Sequence, residues 1–234
     1  MDVSRYGNPD AGTVLIQMVD DHDLGGIESE AAEIRRLVNE DFCLIAVKAG
    51  DWNTDLSPWK APAVFGKEDF GGGAGRTLAE VLKYTGDPAK TYYIGGYSLA
   101  GLFAVWAAYQ TDVFSGAAAA SPSVWFPGFV DSFMRSNECR AKAVYLSLGD
   151  REEKARNPVM AAVGNRIREA YELLKAQGIE TALEWNPGNH FADADIRTAK
   201  AFAWVMKSKT AEDNRTLVRF RSRALALSGE DRKK

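Results

Sequence analysis

The sequence predicts an α/β fold in which helices cover a mostly parallel sheet of about six strands. Short apolar runs, each long enough for one buried strand, recur along the chain, and segments with apolar residues at helical spacing lie between them. Because a strand, a crossover helix and a second parallel strand form one right-handed unit, this alternation is typical of a parallel sheet. With 234 residues, of which 46% are hydrophobic, the chain can bury a substantial core.

The predicted elements follow one another in order. The strands are VLIQMV (14–19), CLIAVKA (43–49), TYYIGGY (91–97), GAAAAS (116–121), AVYLSLG (143–149) and TALEWN (181–186). The helices are expected over 28–39, 76–84, 99–110, 157–177 and 194–207. We therefore place one α/β domain at residues 1–207, with no strand before residue 14.

Two segments depart from this alternation. Residues 51–75 hold two prolines, several aromatic residues and a glycine cluster without a sustained period, so they form a long connection that either lines a pocket or fixes its own conformation. Residues 208–234 are polar and charged and are predicted to form a C-terminal tail that can be helical. No long helical insertion follows the fourth predicted strand, so no large lid domain is expected.

The composition limits which classes of molecule the protein is expected to bind. The 32 acidic and 29 basic residues leave a formal net charge of -3, which offers no electrostatic basis for binding nucleic acid. No stretch approaches the roughly 20 apolar residues that span a bilayer, and the N-terminus lacks the apolar run of a secretory signal. We expect a cytoplasmic protein with reduced thiols at Cys43 and Cys139, a small-molecule substrate and no membrane partner. The apolar tail residues are compatible with a homodimer.

The third predicted strand runs into Gly96-Tyr97-Ser98-Leu99-Ala100-Gly101 and then directly into a helical pattern. A nucleophile elbow has this context, because its serine takes a strained backbone conformation that requires small residues two positions before and after it. The usual pattern is G-x-S-x-G, and the alanine here at the last position is a sterically mild departure. The motif predicts Ser98 as a nucleophile, and we expect the neighbouring Tyr97 to contact substrate.

The chain has two histidines, and a serine hydroxyl needs a base to accept its proton. His190 follows the last predicted strand, whereas His22 follows the first one. The order serine, acid, histidine along the chain of α/β-hydrolases selects His190 as the base. Four consecutive residues of an ordinary loop cannot all face one ion, so the DDHD sequence around His22 is interpreted as a solvated turn and no metal site is expected.

The acid of a catalytic triad is expected after the penultimate strand, where the sequence reads LSLGDREEK. A carboxylate there would orient the imidazole and stabilise the imidazolium. Its spacing from Gly149 favours Glu152, with Asp150 as the alternative. For the oxyanion hole the sequence predicts the Leu99 amide, at the start of the helix after the serine, and a second amide at Asp21, after the first strand.

With these residues identified, the chain resembles the esterase family of the α/β-hydrolase fold that includes esterase D-type S-formylglutathione hydrolases and the enterochelin and trilactone esterases. The resemblance covers about residues 14–207. It depends on GGYSLAGLFAVWAAYQTDVFSGAAAASPSVWF and on LGDREE and GNHF in matching order. It implies Ser98, Glu152 and His190 as the triad, Leu99 as an oxyanion donor, and Trp125 near the substrate. The first two strands of the usual fold are missing from the predicted sheet.

The predicted function is hydrolysis of a carboxylic ester or thioester of a small soluble substrate, through an acyl-enzyme on Ser98 and without a cofactor. The alternative is a non-catalytic α/β-hydrolase-fold protein that binds a ligand. A nucleotide-binding site is disfavoured, because the glycines of GGGAGRT (71–77) lack the lysine of a phosphate-binding loop and follow no apolar strand.

Overall fold

The computed structural model describes residues 1–208. The predicted C-terminal tail, apart from its first residue, lies outside the described residues. Within residues 1–208, no helix is long and apolar enough to cross a membrane.

Seven strands form the main sheet, in the order β1-β3-β2-β6-β7-β8-β9. All neighbouring pairs are parallel except β1 and β3, which are antiparallel. The strands are β1 (Val3–Gly7), β2 (Thr13–Val19), β3 (Phe42–Lys48), β6 (Thr91–Tyr97), β7 (Phe114–Ala120), β8 (Ala143–Gly149) and β9 (Glu180–Asn186). The α/β fold class and its six parallel strands are confirmed.

The antiparallel edge strand β1 was not predicted. Its sequence, VSRYG, is short, and it has exposed residues at most positions because it pairs with the sheet only through β3. An edge strand with so little buried surface carries no apolar run, which is the signal that identifies the central strands. The sheet therefore has one strand more than the sequence indicated.

The helices connect these strands. They are α1 (Asp21–Leu37), α2 (Trp52–Asp55), α3 (Ala74–Val81), α4 (Ser98–Gln110), α5 (Pro158–Ala161), α6 (Val163–Ala176) and α7, described over 194–208. Helix α1 begins seven residues before its predicted start, which places His22 in its first turn and corrects the prediction of a solvated turn there. The cause is a capping box, in which Asp20 and Asp23 each accept a hydrogen bond from the other's backbone amide.

The core lies on both faces of the sheet. On one face, helices α3, α4 and α6 pack their apolar residues against the strands. On the other face, α1 and α7 do the same. Helix α4 is buried on nearly all sides, which explains why it is apolar throughout its length. The central strands are covered by helices on both sides, as expected of a parallel sheet.

The 51–75 connection fixes its own conformation. It contains the short helix α2 and a two-stranded ribbon of β4 (Lys60–Ala61) and β5 (Phe70–Gly71). The indole of Trp59 donates a hydrogen bond to the carbonyl of Pro127 at 3.1 Å and packs against the rings of Phe126 and Phe129. These contacts support the second of the two roles expected for this loop, since Trp59 anchors it to the segment after β7.

We predict that Phe202→Ala lowers the free energy of unfolding by about 3–5 kcal/mol. Phe202 is fully buried on the α7 face of the sheet, and a Cβ added at Gly95 would lie 2.5 Å from its Cζ atom, so ring and backbone are in direct contact. Urea denaturation measures the change. The control is Phe191→Ala, which is expected to change stability by less than about 0.5 kcal/mol because Phe191 is 88% exposed. Equal losses in the two variants would contradict this packing.

Candidate active site

Ser98 occupies a sharp turn between β6 and α4. Its φ is 56°, in the left-handed region that non-glycine residues rarely adopt. The turn depends on small neighbours: a Cβ at Gly96 would lie 2.6 Å from the Cβ of Ala100, and one at Gly101 would lie 3.0 Å from the Gly96 carbonyl oxygen. The chain can make this turn because these three positions leave it room to reverse.

His190 lies within hydrogen-bonding distance of the serine. Its Nε2 is 3.0 Å from Oγ of Ser98, and its Nδ1 is 2.7 Å from Oε2 of Glu152. An ionised carboxylate only accepts hydrogen bonds, so Nδ1 carries the proton and donates to Glu152. Nε2 of the neutral ring is then an acceptor, and the Ser98 hydroxyl donates to it.

The structure places Glu152, and not Asp150, against the histidine. Glu152 is 7% exposed and its Oε1 accepts hydrogen bonds from the Gly149 amide at 2.7 Å and the Ser121 hydroxyl at 2.8 Å. Burial alone would raise the pKa of this carboxyl, but these hydrogen bonds together with that of His190 outweigh it and lower the pKa below its usual value. Asp150 instead accepts a hydrogen bond from the Gly188 amide at 2.9 Å.

The turn that carries Glu152 has no room for a side chain at position 149. A Cβ on Gly149 would lie 2.5 Å from the Gly188 carbonyl oxygen and 2.9 Å from Oε1 of Glu152. The loops after β8 and β9 also exchange backbone hydrogen bonds, from Asp150 to Asn186 and from Arg151 to Gly188. The acid and the histidine are thus fixed relative to each other by two interlocked loops.

Tyr97 holds the histidine loop rather than lining an open pocket. Its hydroxyl donates to the His190 carbonyl at 2.9 Å and accepts from Arg197 at 3.0 Å, and the residue is 7% exposed. The substrate contact expected of Tyr97 stays a prediction. The sequence analysis missed both Ser121, which follows β7 directly and bonds Glu152, and Arg197. Their only sequence signal is position, at a strand end and in the first turns of the helix after His190.

The Leu99 amide lies in the first turn of α4, whose N-terminus has no side-chain cap. Uncapped first-turn amides are free to bind an anion. Asp21 lies at the start of α1, after β2, which is next to β6 in the sheet. Its carboxylate faces outward and pairs with Lys48 at 2.6 Å. The carboxylate that could have repelled an oxyanion is therefore engaged elsewhere, and the Asp21 amide stays a predicted donor.

The segment after β7 places Ser123 beside Ser98 and Trp125 against the 51–75 loop. The Ser123 hydroxyl is 3.3 Å from Oγ of Ser98, and its amide donates to the Ser98 carbonyl. Trp125, two residues further along the chain, is 8% exposed and packs edge-on against Phe65 of the 51–75 loop. The substrate contact expected of Trp125 stays a prediction, since most of its ring is covered by this loop.

An acidic crevice of about 420 Å³ lies between the start of α1 and the start of α7, beside the histidine loop. Its lining includes His22, Asp23, Glu30, Phe191 and Asp195. Within residues 1–208, His, Cys, Asp and Glu side chains form no group of three or more suited to a metal ion. His22 is thus near the site, but in the crevice wall and not in the triad.

Glu30 is the unusual carboxyl of this crevice. It is 4% exposed, and its Oε2 accepts one hydrogen bond from the Gln17 amide at 3.2 Å, while the other side-chain oxygens of both residues have no hydrogen-bond partner. Burial raises the pKa of Glu30 well above its usual value, opposed in part by the hydrogen bond from Gln17. Burial and the charge of Asp20 similarly raise the pKa of Asp23 to about 6.

Comparison with solved structures finds the same fold in several hydrolases. An IroE-like serine hydrolase from Shewanella oneidensis is 15% identical over 86% of this chain and 74% of its own, with a TM-score of 0.70. The siderophore hydrolase EstA from Aspergillus nidulans is 17% identical over 89% and 94%, with a TM-score of 0.58. The enterobactin esterase FES from Shigella flexneri is 13% identical over 88% of this chain and 55% of its own, with a TM-score of 0.58.

These neighbours show that the chain has the α/β-hydrolase fold, and the resemblance to esterases of that fold is confirmed at the level of structure. Within residues 1–208 no large lid domain is present. No protein-family model matches the sequence, and no curated protein matches it either.

We predict that Glu30→Gln stabilises the protein at pH 8 more than at pH 5. Because the pKa of Glu30 is raised well above its usual value in the folded state, the folded protein holds this proton to higher pH than the unfolded chain does, so wild-type stability falls as pH rises above the ordinary carboxyl pKa. Glutamine removes this loss, and its amide can pair with the unpartnered oxygen of Gln17. Urea denaturation measures the free energy of unfolding at both pH values. The stabilisation of the variant relative to wild type should be larger at pH 8 than at pH 5 by about 1 kcal/mol or more.

Glu28→Gln is the matched control for this prediction, because Glu28 is an exposed residue of the same helix. It is expected to show no pH-dependent gain. A Glu30→Gln variant whose difference from wild type is the same at pH 5 and pH 8 would refute the assignment of a protonated buried carboxyl.

Proposed function

We propose that the protein is a serine hydrolase that cleaves a carboxylic ester or thioester of a small soluble substrate through an acyl-enzyme on Ser98. The observation that carries the proposal is the continuous chain of hydrogen bonds from Ser98 through His190 to Glu152, at 3.0 and 2.7 Å. The esterase and hydrolase activities in the names of proteins with the same fold support it.

Acylation begins when Oγ of Ser98 attacks the acyl carbon and its proton moves to Nε2 of His190. The carbonyl oxygen becomes an oxyanion, which the amide of Leu99 and the N-terminus of α4 stabilise. Glu152 stabilises the imidazolium through Nδ1. The tetrahedral intermediate then collapses: the bond from the acyl carbon to the leaving oxygen or sulfur breaks, and Nε2 returns its proton to that atom.

Deacylation repeats these steps with water. Nε2 of His190 takes a proton from a water molecule, whose oxygen attacks the acyl carbon of the serine ester, and the proton then passes to Oγ of Ser98 as the carboxylic acid leaves. No cofactor is required. Esters and thioesters are equally compatible with this chemistry, because the leaving atom needs only a proton or, for sulfur, a stable thiolate.

The site is open enough for a soluble substrate. A quarter of the His190 side-chain surface is exposed, and the neighbouring Phe191 is 88% exposed. The 51–75 loop packs on the segment after β7 through Trp59 and Phe65 instead of covering the histidine. Short-chain 4-nitrophenyl esters and acyl thioesters are therefore suitable first substrates.

We predict that His190→Ala lowers kcat/KM for 4-nitrophenyl acetate by at least about 10³-fold, because it removes the base. His22→Ala is the matched control and is expected to retain most of the activity, since His22 is exposed on the first turn of α1. Steady-state kinetics of the two purified variants measures this. Comparable losses in both variants, or a wild type that turns over no ester or thioester, would exclude the proposed mechanism and favour the ligand-binding alternative.

We predict that Glu152→Gln lowers kcat by about 10²-fold or more, whereas Asp150→Asn lowers it less than about threefold. An amide at position 152 would donate to Nδ1, which moves the ring proton to Nε2 and prevents it from accepting the serine proton. Asparagine at position 150 keeps an oxygen for the Gly188 amide. Measured kcat values that fall equally in the two variants would show that Glu152 is not the acid.

A further inference from the structure

Arg197 is a fully buried cation below the proposed triad. It lies in the first turns of α7 and is 1% exposed, the largest side chain among the fully buried residues. A buried guanidinium is costly unless hydrogen bonds and an opposite charge compensate it. The buried guanidinium therefore needs hydrogen-bond acceptors and an opposite charge, and residues of the candidate active site supply them.

One guanidinium joins the ends of four neighbouring strands. Its Nη1 donates to the Tyr97 hydroxyl at 3.0 Å, to the Ser121 hydroxyl at 3.3 Å and to Oε1 of Glu152 at 3.3 Å, and its Nη2 donates to the Pro187 carbonyl at 2.9 Å. These partners stand at the end of β6, directly after β7 and β9, and three residues after β8. Arginine suits this place because its planar fork presents several donors in fixed directions.

Arg197 reaches His190 along two routes. On the side-chain route, it donates to Oε1 of Glu152, whose Oε2 accepts from Nδ1 of the imidazole. On the backbone route, it donates to the Tyr97 hydroxyl, which in turn donates to the His190 carbonyl. The ring and the main chain of the histidine are therefore both oriented by the same buried group.

The positive charge of Arg197 also changes the electrostatic environment of the His190 imidazole. Glu152 alone would present a buried negative charge to His190 and would strongly favour the imidazolium. The adjacent guanidinium, 3.3 Å from Oε1 of Glu152, offsets part of that charge, and the neutral imidazole is the form able to act as a base. A neutral residue at position 197 would remove this offset, while Ser121 and Gly149 would still hold Oε1 of Glu152.

We propose that Arg197 is a positioning residue of the active site: it holds Glu152 and the His190 loop in place and offsets the charge of Glu152 beside the imidazole. The catalytic part of this inference rests on the proposed function, whereas its electrostatic part does not. Among the described ionisable groups, the Tyr97 phenol contacts Arg197 and the His190 carbonyl, Asp150 accepts from the Gly188 amide in the same loop, and Asp193 and Asp195 follow His190 along the chain. All of them remain in every variant used below.

NMR titration of the imidazoles tests the electrostatic part directly. The chain has two histidines, so a His22→Gln variant assigns both signals. In Arg197→Met and Arg197→Gln the His190 midpoint is expected to rise by roughly one pH unit, and in Arg197→Lys, which keeps the charge, it should stay within about 0.3 unit. The His22 midpoint serves as the internal control and is expected to stay unchanged in all three.

Kinetics on 4-nitrophenyl acetate tests the positioning part. Lysine lacks the planar fork and cannot satisfy all four partners. Arg197→Lys is therefore expected to lower kcat about tenfold, while the acid limb of the pH profile, where kcat/KM falls at low pH, does not move. In the neutral variants the acid limb should move to higher pH together with the NMR midpoint. A purely structural role would lower activity in proportion to lost folded protein, without moving the limb.

The outcomes are distinguishable. A His190 midpoint that does not move in a folded neutral variant overturns the inference, and so does a rise in Arg197→Lys equal to that in Arg197→Met. If neither neutral variant folds, Arg197→Lys decides the question. A His190 midpoint that stays unchanged while kcat falls supports the inference. A His190 midpoint that moves, or a kcat that does not fall, overturns it. A wild type without esterase activity but with the expected midpoint rise refutes the proposed function alone.

Discussion

The strained backbone of Ser98 is the constraint on which the site depends. A serine with φ of 56° between a strand and a helix costs stability, and the turn is possible only because Gly96, Ala100 and Gly101 leave space for the chain. Its consequence is that the hydroxyl stands clear of the sheet at the uncapped N-terminus of α4. In the proposed mechanism the amides at this N-terminus face the developing oxyanion.

The parallel sheet brings the remaining groups to this serine. Because the carboxyl ends of parallel strands meet at one edge, the loops after β6, β8 and β9 deliver Ser98, Glu152 and His190 to the same place. Hydrogen bonds between the loops after β8 and β9 set the spacing of acid and base. The buried guanidinium of Arg197 completes the arrangement, since it donates hydrogen bonds to residues at or after the ends of β6, β7, β8 and β9.

Sequence reasoning identified the parts of the fold and site that carry a local signal. The six parallel strands are apolar runs, the elbow has its small residues, and the chain order points to His190. The edge strand β1 lacks an apolar run, and the capping box that starts α1 early was hidden by the two glycines that follow it. Tyr97 and Arg197 carry no such signal, because their roles arise from contacts between residues about a hundred positions apart.

Intact-mass spectrometry after incubation with a fluorophosphonate tests the central claim, an activated serine at position 98, most directly. The reagent phosphonylates a serine whose proton a neighbouring base accepts, with loss of fluoride. The wild-type protein is expected to gain the mass of one adduct, and Ser98→Ala is expected to gain none. A folded wild-type protein that stays unlabelled, or an adduct that persists in Ser98→Ala, would contradict the account.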